Sequence, residues 1–157
     1  MIEFIILLGL ILVNGLFAMT EIAVLSARPA LLTQAAENGN RGARAGLDLQ
    51  QNPDVFLSAV QIGITLVGIL AGAYGGAALG GTVAQWFALV PFLAPYSQAL
   101  GIGLVVLIPP YLSLVIGELV PKRLAIRAAE PIAVLMAHPL LLLAKATSPA
   151  VWVLGIS

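Results

Sequence analysis

The chain contains no cysteine, which excludes disulfides and thiolate-bound metal. It has a single histidine, too few for an imidazole cluster, so any bound metal must take oxygen ligands. Charge is scarce. Only 9% of the residues are charged against 61% hydrophobic, the mean hydropathy is +1.07, and seven basic residues balance seven acidic ones. A soluble domain carries about 25% charged residues, so this composition belongs to an integral membrane protein. Zero net charge offers no long-range pull on nucleic acid or on an acidic substrate. The pattern holds no nucleophile–base pair, phosphate loop or base-reading surface, so neither an enzyme nor a nucleic-acid binder is expected.

Crossing a hydrocarbon core of about 30 Å takes about 20 apolar residues at about 1.5 Å each, which makes three spans the economical count for one membrane domain. The first uncharged stretch, Phe4 to Thr20, has neither the basic flank nor the small-residue cleavage site of a signal peptide. It reads as a retained span reaching Ser26, closed by Arg28-Pro29. Ala30 to Gln51 is alanine-rich, carries Glu37, Arg41, Arg44 and Asp48, and is divided by Asn38-Gly39-Asn40. Two short helices outside the hydrocarbon are expected there. Asn52-Pro53-Asp54 is a helix-start signal, with Asn52 as cap and Pro53 in the first turn.

Between Asp54 and Glu118 lie 63 residues without one Asp, Glu, Lys or Arg. Gly75-Gly76, Gly80-Gly81, Pro91 and Pro95, with the interfacial aromatics Trp86, Phe87 and Tyr96, are expected to break this run. That gives a second span near Val55–Tyr74 and a third near Gln98–Gly117, with a hairpin or short surface helix between. In the last segment, Pro131 to Ser157, the apolar stretch Pro131–Ala144 has only 14 residues, contains His138-Pro139 and ends at Lys145. An interfacial or re-entrant helix pair fits it better than a fourth span. The abrupt finish at Gly155-Ile156-Ser157 is that expected of a domain cut from a longer chain.

Glu118 ends the uncharged run inside Val115-Ile116-Gly117-Glu118-Leu119-Val120-Pro121-Lys122. An ionisable side chain at membrane depth costs about 2.5 to 3.5 kcal/mol on insertion scales, so it faces a protein interior, a cavity or an ion. The plain alternative is an ion pair with Lys122 at i+4, across a Pro121 that disturbs the regular helix. In span one, Asn14 and Glu21 share a face. Glu21 is close enough to the span's end to reach water or a basic residue, whereas Asn14 is deeper and should hydrogen-bond another helix.

Ser58, Gln61, Thr65, Gly68 and Gly72 follow three-four spacing and share one face of span two. Gly68, Gly72, Gly76 and Gly80 recur at every fourth position, a packing signal for a helix neighbour or a dimer. In span three, Pro109-Pro110 remove two amide donors and release the carbonyls near Val105 and Val106, and Tyr111 lies seven residues before Glu118 on nearly its face. The alternative for the prolines is a packing kink. Carboxylate, hydroxyl, amide and carbonyl oxygens without thiolates suit hard cations such as Mg²⁺, and leave Ca²⁺, Mn²⁺ and Na⁺ open.

Three blocks carry a family resemblance: Asn14-Gly15-Leu16-Phe17-Ala18-Met19-Thr20-Glu21-Ile22-Ala23, then Asn52-Pro53-Asp54 through Ser58, Gln61 and Thr65 to Leu66, then Gly117-Glu118-Leu119-Val120-Pro121-Lys122. In this order and spacing they resemble the transmembrane domain of the cyclin M/CorC magnesium transporters, over nearly the whole chain. The resemblance implies an all-α integral membrane homodimer with three transmembrane helices per protomer and cytoplasmic juxtamembrane helices. It further implies Mg²⁺ efflux coupled to Na⁺ influx, a dehydrated Mg²⁺ site between the helices, and a cytoplasmic region with CBS modules outside this chain. Carried over residue by residue, the implied Mg²⁺ ligands are Glu118, Ser58, Gln61, Thr65, Asn14, Thr20 and Ser26. Relatives often carry Ser or Asn where this chain has Asn14, Ala18, Ile64 and Thr65. Two other functions compete: a non-transporting membrane anchor or Mg²⁺ sensor for a cytoplasmic regulatory domain, and an exporter of organic solutes.

Arg28, Arg41 and Arg44 follow the first span, Lys122, Arg123, Arg127 and Lys145 follow the third, and the connection between spans two and three has no basic residue. The positive-inside rule then places the amino terminus outside and the carboxyl terminus in the cytoplasm of a multi-pass cell-membrane protein. The native chain has no thiol, so a single engineered one reports cleanly. Gln85→Cys should react with an impermeant maleimide added outside, and labelling only from the cytoplasmic side would reverse the topology.

Overall fold

The computed structural model describes residues 2–156, with side chains described for residues 2–142 apart from 77 and 78. Among the described residues the architecture is all-helical. In chain order the helices are α1 (Ile2–Ser26), α2 (Pro29–Glu37), α3 (Arg41–Gln51), α4 (Pro53–Ala88), α5 (Ser97–Leu114), α6 (Val120–Arg127) and α7 (Ala129–Ile156). A short 3-10 turn, Ala94–Tyr96, precedes α5, and a π-helical turn, Val115–Leu119, joins α5 to α6. Three stretches are long and apolar enough to cross a membrane: Ile2–Ser26, Pro53–Ala88 and Ala94–Arg127.

Helix α1 runs through the middle of the fold, against α4, the α5–α6 stretch and α7. Leu7, Ile11, Asn14 and Ala18 recur at three-four spacing and are buried, while Ile5, Leu8, Leu12 and Leu16 on other faces stay exposed. Exposed leucines and isoleucines are what a lipid-facing surface requires. Below Ala18 the packing passes to alanines gathered around a few larger side chains such as Leu32 and Phe56. Ala23, Val24, Ala27, Leu32, Ala43, Leu49, Phe56, Ala125, Ala133 and Ala137 form one continuous core that ties α2, α3, α6 and α7 to the ends of α1 and α4.

Polar capping fixes this belt. Gly39 turns the chain at φ +88°, where a side chain would be strained, and Asn40 accepts from the Ala43 amide at 3.1 Å to start α3. The Gln50 amide donates to the carbonyls of Val24 and Ala27, at 2.7 and 2.8 Å, satisfying acceptors that the end of α1 would leave free. Arg28 donates to Glu130 at 2.8 Å, joining the α1–α2 link to the start of α7. That hydrogen bond holds the Glu130 carboxyl below its usual range. A depressed carboxyl pKa stabilises the fold above the unfolded value and ceases to as pH falls through the folded one.

Four expectations change. The glycine pairs at 75–76 and 80–81 do not end the second span, because α4 is one helix of 36 residues. Its length of about 54 Å exceeds the hydrocarbon thickness, and backbone polar groups in lipid stay satisfied only while the helix continues, which outweighs the intrinsic cost of glycine. Residues 129–156 form one helix in place of a pair; Pro131 sits in its first turn, where no amide donor is needed, while the side chain of Lys145 lies outside the described residues. Asn52 does not cap α4: its amide donates back to Asp48 at the end of α3, although Pro53 does open α4. The stripe Gly68, Gly72, Gly76 and Gly80 is not packed on another helix of the same protomer, since a Cβ at each would meet nothing within 4 Å.

Close helix approach is concentrated elsewhere. A Cβ on Gly101 would lie 2.8 Å from the Ala84 amide nitrogen, so α4 and α5 are in backbone contact there. Gly103, two residues on, has open space around it. Gly101→Ala should therefore destabilise the α4–α5 hairpin by about 1 to 3 kcal/mol through overpacking, whereas Gly103→Ala should leave melting unchanged or slightly raised. Thermal melting of the two variants in detergent checks the contrast.

Candidate cation site

The site is built where α1 meets the π-helical turn, and two glycines set how near they come. A Cβ on Gly15 would lie 3.0 Å from the Pro121 ring and 3.3 Å from the Ile116 carbonyl oxygen. A Cβ on Gly117 would lie 3.1 Å from the Ile11 carbonyl oxygen. Neither position leaves comfortable room for a side chain. In regular α-helical register the carbonyl of Gly117 would accept from the amide of residue 121, and proline has no such donor. Asn14 supplies one, its Nδ2 donating to the Gly117 oxygen at 3.2 Å. The expected inter-helix hydrogen bond of Asn14 is thus present, on a carbonyl that Pro121 frees, in addition to the pair Pro109-Pro110 release.

This bond fixes the amide's orientation. Because a carbonyl only accepts, Nδ2 faces Gly117, and Oδ1 is buried without a hydrogen-bond partner in a residue that is 5% exposed. An acceptor in that condition costs about 1 to 3 kcal/mol unless a donor or a cation meets it. Asn14 also lines a cleft of about 260 Å³, together with Gly68, Ala71, Gly72, Pro109, Pro110, Ser113, Leu114 and Glu118. One anionic and two neutral oxygen-bearing side chains, from α1, α5 and the π turn, therefore border the same space. The π turn helps explain the set. Residues 113 and 118 are five apart, about 140° around a regular α-helix, but a π turn repeats at i+5 and stacks them.

Glu118 has a partner already. Lys122 donates to its Oε1 at 2.7 Å, with the two side chains 31% and 39% exposed, lysine first. Pro121 does not prevent the i+4 pair, because it falls in the first turn of α6. Among the described residues no group of three or more His, Asp or Glu side chains converges, so the cleft offers a single carboxylate and neutral oxygens.

Of the seven residues singled out in the sequence, the structure brings Asn14 and Glu118 to the cleft. Gln61 and Thr65 line a separate shallow groove of about 300 Å³ with Ile62, Leu66 and Ile69. Both are exposed on the α4 face that continues to Gly68 and Gly72. Ser58 is half-buried on α4 and borders neither space. Thr20 is fully buried, and its hydroxyl donates to the Leu16 carbonyl one turn back at 2.6 Å. Ser26 is exposed at the end of α1. Tyr111 is 64% exposed and lies outside the cleft, since the π turn breaks the seven-residue register with Glu118. Ser113 escaped the sequence reading for the same reason. The signal that finds it is Pro121, whose missing donor marks the irregular turn before it.

Comparison with known proteins places these features in a family. The sequence model of the cyclin M transmembrane N-terminal domain matches residues 5–157. UPF0053 protein sll0260 of Synechocystis is 50% identical over 148 residues, covering 94% of this chain and 33% of that protein. UPF0053 protein YhdP of Bacillus subtilis is 30% identical over the same shares of both chains. A protein of Escherichia coli K12 named polyamine export protein is 31% identical over 147 residues, again 94% of this chain and 33% of the other. The chain thus spans about a third of the length of the curated relatives it matches.

The contact between Asn14 and the Pro121-freed carbonyl can be tested by exchange of donors. Asn14→Leu leaves the Gly117 oxygen buried without a donor from α1 and should cost about 1 to 3 kcal/mol in thermal or denaturant unfolding. Adding Pro121→Ala restores a backbone amide at i+4 and should recover part of that loss, a coupling that a double-mutant cycle reads directly. Strictly additive losses would show that Pro121 and Asn14 do not share this carbonyl.

Proposed function

The chain belongs to the cyclin M transmembrane N-terminal domain family, and on that premise we propose that it is the membrane domain of a Mg²⁺ transporter. Its three apolar helices and the family together make it part of a multi-pass membrane protein. In the proposed reaction Mg²⁺ reaches the cleft from the cytoplasm, exchanges part of its water for protein oxygens, and leaves outward in exchange for Na⁺. Glu118 supplies the charge. Asn14 Oδ1 and the Ser113 hydroxyl supply neutral oxygens, and remaining positions stay with water, as Mg²⁺ ordinarily retains several. The observation that carries this reading is the buried, unpartnered Oδ1 of Asn14 in a cleft it shares with Glu118.

Two further parts of the proposal follow from the exposed face of α4. Gly68 and Gly72 border the cleft and belong to the stripe on which a Cβ meets nothing within 4 Å. We place a second protomer on that stripe, in a homodimer, so that the partner covers the cleft's open side. Thr65 and Gln61, about one and two turns from Gly68 along the same face, then mark the path by which an ion approaches. The cytoplasmic side is assigned to the belt of α2, α3, α6 and the start of α7. CBS-containing domains of the longer protein are proposed to act on it from there.

One observation supports a second cargo. Glu118 holds a primary alkylammonium in the form of Lys122, and a relative is named as a polyamine exporter, so a linear polyamine is the competing substrate. The same cleft would serve it, with Glu118 taking an ammonium in place of a metal ion. A membrane Mg²⁺ sensor remains the non-transporting alternative, and it predicts binding without flux.

Glu118→Gln keeps the shape of the side chain and removes its charge. Isothermal titration should show Mg²⁺ affinity falling at least about tenfold, or about 1.4 kcal/mol, while the oligomeric state persists. Parent-like Mg²⁺ affinity in that variant would make Glu118 structural. For the longer protein in liposomes, Mg²⁺ efflux driven by an imposed Na⁺ gradient is the expected outcome. Polyamine flux without Mg²⁺ flux would move the assignment to the second cargo.

A further inference from the structure

We infer that Lys122 is a tethered counter-ion of Glu118: its ammonium neutralises the carboxylate until an incoming cation displaces it, and so sets how strongly a cation must bind to occupy the cleft. This rests on the reading of Glu118 as the cation-binding carboxylate, and the experiment below separates the two.

Three structural features support this role. The ion pairs found among the described residues are Arg28–Glu130 and Lys122–Glu118, so Lys122 is the cation that answers the cleft's single carboxylate. The bond at 2.7 Å engages Oε1. A cation bound to the other carboxylate oxygen would sit roughly 5 Å from the ammonium, where two like charges in a partly buried setting repel by several times thermal energy. Both cannot remain. Moreover, the lysine is held by nothing stiffer than its own stem. It is about a third exposed, and its four-carbon chain has the rotamers needed to swing toward water without moving α6.

Displacement acts as a uniform tax on affinity. If the carboxylate is free only a fraction of the time, the apparent dissociation constant of every cation rises by the reciprocal of that fraction. A divalent ion, with twice the charge to offer one carboxylate and two neutral oxygens, can absorb such a factor. A monovalent ion brings to Glu118 only the charge that Lys122 already supplies. Lys122 therefore screens the cleft against Na⁺ binding at Glu118 alone, and Arg123 and Arg127, exposed on α6, have no such partner among the described residues.

The test uses this chain in detergent micelles, titrated calorimetrically with MgCl2 and separately with NaCl. Lys122→Gln should bind Mg²⁺ at least about tenfold more tightly than the parent and should bring Na⁺ binding into the measurable range. Because the chain has no cysteine, Lys122→Cys allows the charge alone to be restored on a folded protein. Treatment with aminoethyl methanethiosulfonate, which adds an ammonium of similar reach, should return weak Mg²⁺ binding, whereas methyl methanethiosulfonate should leave it tight. Equal Mg²⁺ affinity after the two reagents, or a Lys122→Gln that binds no tighter than the parent while Glu118→Gln still loses binding, would overturn the counter-ion role and leave the Glu118 site standing. Parent-like binding in Glu118→Gln would instead remove the site itself, and with it this inference.

Discussion

The hydrogen bond from Asn14 to the carbonyl of Gly117 is the contact on which the cleft depends. It exists because three residues agree. Pro121 withdraws the amide that would have met that carbonyl in a regular helix, and Gly15 and Gly117 let α1 come near enough for an asparagine to replace it. In hydrocarbon an unsatisfied carbonyl has no water to turn to, so the exchange of a backbone donor for a side-chain donor is a condition for the irregular turn to persist. The turn in turn stacks Ser113 toward Glu118 and spends one end of the Asn14 amide, which leaves the other end without a partner beside the cleft.

Charge is rationed around this point. A single carboxylate at the end of a 63-residue uncharged run is compensated by a single ammonium four residues on, and among the described residues no group of three or more acidic or histidine side chains gathers. The cleft presents a few oriented dipoles and one formal charge. The adjoining glycine stripe of α4 serves a different purpose from the glycines of the crossing. At Gly15, Gly101 and Gly117 a side chain would meet backbone, whereas at Gly68, Gly72 and Gly76 it would meet open space. The first group closes the protomer on itself. The second leaves a flat face bordering the cleft, available to a neighbour.

The belt outside the spans is assembled on a different principle. Alanines at 23, 27, 36, 43, 45, 125, 129, 133 and 137 give it little apolar area per residue, so its definition comes from specific polar ties. Gln50 closes the end of α1, Asn40 opens α3, and Arg28 reaches Glu130. The Gln50 and Arg28 ties join segments distant in sequence, while the Asn40 cap is local to the start of α3.

Much of the architecture was legible in the sequence. Hydrophobic runs bounded by Arg28-Pro29 and Asn52-Pro53 determined three spans and two short helices between the first two, because the hydrocarbon thickness imposes a length that composition alone reveals. Glu118 and Asn14 stood out because polar groups at depth are costly and therefore few. The tertiary structure decided the rest. Glycine pairs that read as breaks at 75–76 and 80–81 are carried through α4, since lipid penalises an interrupted helix more than glycine weakens one. Ser113 replaced Tyr111 beside Glu118 because face arguments assume 3.6 residues per turn, and a single π turn shifts everything before it. The separation of Gln61 and Thr65 from the cleft was likewise set by packing. Spacing along one helix gives a common face, but which part of that face meets a neighbour depends on where other helices cross it.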